Sequence, residues 1–108
     1  MSVEFGIKKN EMGILLGIFN TCPETRNISV YGSRAKGTYG DRSDLDLVIM
    51  DAVDRKTLGK LWMDINCSDF PFVVDLLIFD EIRNQNLIDH IQRVGKTIYT
   101  KDAKTVLG

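Results

Sequence analysis

One histidine, one tryptophan, two prolines and two cysteines are all that this 108-residue sequence carries of these types. Cys22 and Cys67 form neither a C-x-x-C pair nor part of a four-ligand zinc pattern, so the common redox and zinc signatures are excluded. The reading they support is two reduced, structural thiols in a cytoplasmic protein. Neither sign of charge prevails: 14 basic against 15 acidic residues leave a formal net charge of −1. There is no face-wide basic excess, and duplex nucleic acid is not an expected partner. No apolar run approaches the length of a membrane span, so no membrane association is expected. The opening MSVEFGIKKNEMG lacks a basic region followed by an apolar one and does not read as a signal peptide. Linkers, repeats and low-complexity tracts are missing as well.

What is present fits an ordinary globular chain, with 44% hydrophobic and 27% charged residues. The length suits one domain, residues 1–108, with a single small core. Asn10 is placed to cap a helix through about Asn20, where Met12, Leu15, Leu16 and Phe19 follow i, i+3, i+4, i+7 spacing. Gly13 and Gly17 lie four apart on it, which suits close packing on its own sheet or a closely approaching partner chain. A strand is expected over Asn27–Tyr31 and a second over about Asp44–Met50. Asp54 is placed to cap a helix to about Asn66, with Leu58, Leu61, Trp62 and Ile65 as its apolar face. Phe72–Phe79 is nearly all apolar and reads as a central strand. Leu87, Ile88 and Ile91 mark a last helix ending near Gly95, and Thr97–Thr100 suits a short strand. The tail KDAKTVLG is short and mixed. This order gives an α/β (α+β) fold, a small mixed sheet with helices packed on it. The link between the first two strands is too short for a crossover helix, so those strands are expected to be antiparallel.

The stretch VYGSRAKGTYGDRSDLDLVIM, residues 30–50, carries chemistry. Alternation along a strand puts Asp44 and Asp46 on one face, roughly 7 Å apart, with Leu45 and Leu47 turned to the core. A third carboxylate, Asp75, interrupts the apolar run FVVDLLIF. Aspartate is rarely buried unless paired or metal-bound. Suppose all three share a face. Repulsion between two such charges about 4 Å apart is on the order of 4 kcal/mol at an effective dielectric of 20. A divalent cation with a preference for hard oxygen ligands, Mg²⁺ or Mn²⁺, would offset it. Gly32 lets a phosphate approach the backbone, and Ser33 offers a hydroxyl. A short helical turn over Ser33–Gly37 would aim free N–H groups at the anion. Arg34, Lys36 and Arg42 add local positive charge. The combination describes a site for a nucleoside triphosphate held through metal and backbone. His90 is expected on the surface or in packing, Trp62 in the core, and Tyr31 and Tyr39 as framework or as base-stacking platforms.

GSRAKGTYGDRSDLDL resembles the signature of the nucleotidyltransferase superfamily that includes DNA polymerase β, and more closely its minimal members: G-S-R-A-x-G, then S-D-x-D-L, then an Asp in a following strand. The match falls on Gly32, Ser33, Arg34, Ala35 and Gly37, on Ser43, Asp44, Asp46 and Leu47, and on Asp75. The resemblance implies a polymerase β-like fold and ATP or another NTP as substrate. It implies two Mg²⁺ ions (or Mn²⁺) held by Asp44, Asp46 and Asp75, with Gly32, Ser33, Arg34 and Ser43 binding the nucleotide. Asp75 is implied as metal ligand or as proton acceptor. Minimal members are similar to the antitoxin half of a toxin–antitoxin system whose partner is a helical HEPN-domain toxin. The implied reaction is AMP transfer to a tyrosine of that partner, which would dock around Thr38–Ser43, in a homo- or hetero-oligomer. Two alternatives stay open: a non-catalytic subunit that masks a HEPN partner, and a small-molecule nucleotidyltransferase whose acceptor pocket comes from a partner subunit.

Overall fold

The structure, a computed structural model, describes residues 5–40 and 42–101. The elements run α1 (Lys9–Asn20), β1 (Asn27–Tyr31), α2 (Gly32–Lys36), β2 (Leu45–Ile49), α3 (Arg55–Asn66), β3 (Val74–Ile78), a 3-10 turn (Phe79–Glu81), α4 (Gln85–Val94) and β4 (Lys96–Thr100). The tail from 102 onward lies outside the described residues. None of the described helices is long and apolar enough to cross a membrane.

The four strands form one mixed sheet in the order β3-β2-β1-β4. β1 pairs antiparallel with both β2 and β4, and β2 pairs parallel with β3. The antiparallel β1–β2 pair is the arrangement the short connection demands. The parallel β2–β3 pair needs a long return path, and α3 supplies it. β3 is an edge strand, not the central strand its apolar sequence suggests. The reason lies in its two faces. Val74 and Leu76 pack into the main core, while Leu77 on the other face packs with Phe79, Ile82 and Leu87 of the segment that follows. Cover on both faces, rather than neighbours on both edges, makes the strand apolar.

One face of the sheet carries the larger core. Ile28, Val30, Leu45, Leu47 and Ile49 are wholly buried there against Leu15 and Phe19 of α1 and Leu61 and Ile65 of α3. Each such side chain contributes about 1.5–3 kcal/mol of burial. The opposite face is covered more lightly, by Ile91 of α4 over Tyr31 and Val48. That lighter cover leaves room at the end of β2 and β3 for polar groups.

Helix ends follow local chemistry, with one departure from expectation. Asp54 caps α3 by accepting the Thr57 N–H at 2.8 Å. Asn84 caps α4 by accepting from Asn86 and Leu87. α1 starts two residues before expected: Glu11 Oε1 accepts the Lys8 N–H at 2.9 Å, which moves the cap to Lys8 and draws Asn10 into the first turn. Gly13 and Gly17 are exposed, and a Cβ on either would meet nothing within 4 Å. They are therefore not sites of close packing of α1 on its own sheet. Trp62 is 47% exposed, so it is not a core residue. It lies on the outer side of α3, whose inward positions are filled by Leu61 and Ile65. Both cysteines are free thiols, Cys22 buried and Cys67 exposed.

Candidate active site

The site is built where β1 passes into α2 and where β2 and β3 begin. Strand register aligns three residues across the sheet. Tyr31 of β1 stands opposite Asp46 of β2, and Asp46 stands opposite Asp75 of β3. Directly paired residues share a face, so the two carboxylates project together. Asp44 lies two residues before Asp46, just ahead of the strand, and its charge acts on Asp46. Asp46 and Asp75 are thus brought together on the lightly covered face, with Asp44 near enough for its charge to act on Asp46. Among the described residues, no three His, Cys, Asp or Glu side chains close into a ready-made metal cage.

Asp75 arrives by a different route from the one its sequence context suggests. It is exposed, not buried, because β3 is at the sheet edge. Register, rather than the penalty of burial, brings it to Asp46. The half-buried Asp46 shows the electrostatic consequence. Burial first, then the charges of Asp75 and Asp44, push its carboxyl above the usual carboxylate range. Burial, followed by Asp75 and Asp46, likewise pushes the Tyr31 hydroxyl above the ordinary tyrosine range. The face therefore carries an excess of negative charge. Three carboxylates with hard oxygen donors and mutual repulsion are a donor set that suits a divalent cation.

Gly32 is fixed by conformation and by space. Its φ is +74°, in the left-handed region, and a Cβ there would overlap Asp46 Oδ2. The group that fills the space where a side chain would begin is thus the Asp46 carboxylate. Its N–H is not turned to an anion either: it donates to His90 Nε2 at 3.2 Å. Ser33 follows, half-buried in the first turn of α2. Gly37, with φ +84°, ends the helix in the left-handed conformation.

Arg34 and Ser43 have structural work. Arg34 is 2% exposed. Its Nε and Nη2 donate to the Ser43 carbonyl at 3.0 and 2.8 Å, and its Nη1 donates to the Phe5 carbonyl at 2.7 Å. The guanidinium lies 4.2 Å from the Phe72 ring centre and 5.1 Å from that of Tyr39. A planar fork set against two aromatic rings and committed to carbonyls suits arginine. Expected among the nucleotide ligands, Arg34 ties the α2–β2 loop to the N-terminal segment in this structure. Ser43 Oγ accepts the Gly40 N–H at 2.8 Å, closing the same loop. Of the three basic residues in this stretch, Lys36 and Arg42 are the exposed ones.

His90 is the residue that sequence reading left aside. It reaches Gly32 from α4 and stands edge-on to Tyr31, ring centres 6.3 Å apart at 84°. One signal was available: His90 shares a helix face with Leu87 and Ile91, the face that covers Tyr31 and Val48.

The fold agrees with comparison to known proteins. In fold, the chain is similar to a toxin–antitoxin crystal structure with AMP-PNP: TM-score 0.66, 20% identity, 89% of this chain and 78% of that chain. It is similar to a mutant of the toxin–antitoxin MntA-HpeT: TM-score 0.64, 20% identity, 94% of this chain and 80% of that one. A third is the tri-AMPylated Shewanella oneidensis HEPN toxin in complex with MNT antitoxin: TM-score 0.60, 16% identity, 92% and 77% covered. No curated protein matches the chain significantly in sequence. The family model described as Polymerase beta, Nucleotidyltransferase matches residues 15–104, which takes in the Gly32 turn and all three aspartates, and the chain belongs to that family.

Proposed function

We propose that this chain is a metal-dependent adenylyltransferase that moves AMP from ATP to a tyrosine of a HEPN-domain partner, as the antitoxin of a toxin–antitoxin pair. The observation that carries the reading is the in-register Asp46–Asp75 pair, with Asp44 alongside, against the Gly32 turn. Support for the nucleotide and the partner comes from structures of the same fold, one with AMP-PNP and one with a tri-AMPylated HEPN toxin.

Asp44, Asp46 and Asp75 would hold the metal, which when bound supplies charge neutralisation for the triphosphate and the leaving pyrophosphate. Asp75, exposed at the sheet edge, would accept a proton from an incoming hydroxyl. Ser33 and the amides of α2 would orient the β- and γ-phosphates. Lys36 and Arg42, exposed on the loop side, can meet negative charge there. Positioning of an acceptor supplies much of the rate in such transfers. The acceptor surface is assigned to the HEPN partner, on the support of the tri-AMPylated HEPN toxin seen with a structure of the same fold.

The test is incubation with α-labelled ATP and Mg²⁺, with and without the product of the adjacent gene, followed by mass spectrometry. Label on a tyrosine of the partner supports the proposal. Efficient transfer to a free small molecule by the isolated chain overturns it in favour of a small-molecule transferase. A stable complex with no transferred label would leave a masking subunit.

A further inference from the structure

We propose that His90 is a positioning residue for the nucleotide site: its Nε2 takes the Gly32 N–H and thereby sets the direction in which α2 presents its first turn. The proposal rests on the reading of Gly32–Ser33 as the triphosphate turn. α2 has only five residues, too few to hold a direction by its own hydrogen bonding. Its start must be fixed from outside. Three contacts do this. The Asp46 carboxylate packs against Gly32 where a Cβ would stand. His90 Nε2 accepts the Gly32 N–H at 3.2 Å. The His90 ring stands edge-on to Tyr31, the residue before the glycine.

His90 links two parts of the chain 58 residues apart. Accepting this bond requires an Nε2 lone pair with no hydrogen on it. The bond also occupies one amide of the α2 start, so the remaining amides of the first turn are the ones left to face a ligand. Nothing in this arrangement requires His90 to touch the substrate. It acts through Gly32, and Ile91 beside it anchors α4 to the sheet.

The test compares wild type, His90→Phe and His90→Gln in the full chain. His90→Phe keeps a ring against Tyr31 and removes the acceptor. His90→Gln restores an acceptor oxygen on a side chain of similar reach. Two readouts are taken: exchange of the Gly32 amide by NMR, and affinity for a non-hydrolysable ATP analogue with Mg²⁺, with adenosine as control. Loss of one hydrogen bond should speed Gly32 exchange and weaken the analogue about 5-fold in His90→Phe, leave adenosine binding unchanged, and be largely reversed in His90→Gln. A merely structural role would lower thermal stability in both variants without the triphosphate-specific loss. Unchanged Gly32 exchange and analogue affinity in His90→Phe, or no recovery in His90→Gln, overturns the proposal. If His90→Phe does not fold, His90→Asn, whose amide is too short to span to Gly32, takes its place with the same expected outcomes. If wild type binds no MgATP, the triphosphate reading fails by itself, and Gly32 exchange alone decides whether His90 sets the turn.

Discussion

The Asp46 carboxylate occupies the space where a side chain on Gly32 would begin. Gly32 opens α2 directly after β1, and Asp46 lies in the adjacent strand β2 near the other end of the signature stretch. Their contact couples the Gly32 turn to the acidic row, and any residue other than glycine at position 32 disturbs both. Gly32 also holds φ at +74°. Gly32→Ala should therefore lower stability by about 1–3 kcal/mol from backbone strain alone, and displace Asp46 as well. Chemical denaturation measures the first effect. Loss of nucleotide transfer beyond that explained by unfolding measures the second.

Asp46→Asn separates catalysis from folding. It should reduce transfer by at least about 100-fold, since a bound metal is worth several kcal/mol of transition-state stabilisation. It should leave the fold intact. An undiminished rate would exclude Asp46 as a metal ligand.

The same variant has a pH signature when metal is chelated. Burial, Asp75 and Asp44 raise the Asp46 pKa in the fold, so the folded chain binds that proton more tightly than the unfolded chain. This contribution to stability is fully present below the ordinary carboxylate value and is lost as pH rises through the raised one. Asp46→Asn is free of that loss. Its melting temperature should equal or exceed that of wild type at neutral pH, and the gap should close below about pH 4. A variant less stable than wild type at pH 7 would contradict the assignment of like-charge repulsion.

Arg34 should prove a stability residue. Arg34→Met keeps most of the stem but leaves the Ser43 and Phe5 carbonyls without their donor. Two deprived carbonyls should cost about 2–4 kcal/mol. Arg34→Lys should recover little of it, because an ammonium cannot reproduce the fork or the stacking. Thermal unfolding without nucleotide measures both.

Trp62 supplies the opposite case. It is 47% exposed on α3, and Trp62→Gln should change stability by no more than about 0.5 kcal/mol. A loss of several kcal/mol would mean that the tryptophan is buried after all.

Much of this molecule was legible in one dimension because its signals are local. β1 was placed at Asn27–Tyr31, and the Asp54 cap, the α4 stop at Gly95 and the antiparallel β1–β2 pair follow from short-range rules. The alternation of Asp44 and Asp46 against Leu45 and Leu47 needs only the pleat of a strand. Tertiary structure decided what depends on partners distant in sequence. Asp75 joins Asp46 because β3 adds to β2 in parallel register, and no local pattern encodes that register or the edge position that leaves Asp75 exposed. Arg34 sits two residues from Gly32, yet its donors are claimed by Phe5 and Ser43, contacts that exist only once the loop closes over the N-terminal segment. His90 lies 58 residues from the glycine it holds. Side-chain type and spacing are properties of the chain alone, whereas the job of a polar group is set by which other polar groups folding brings within about 3 Å.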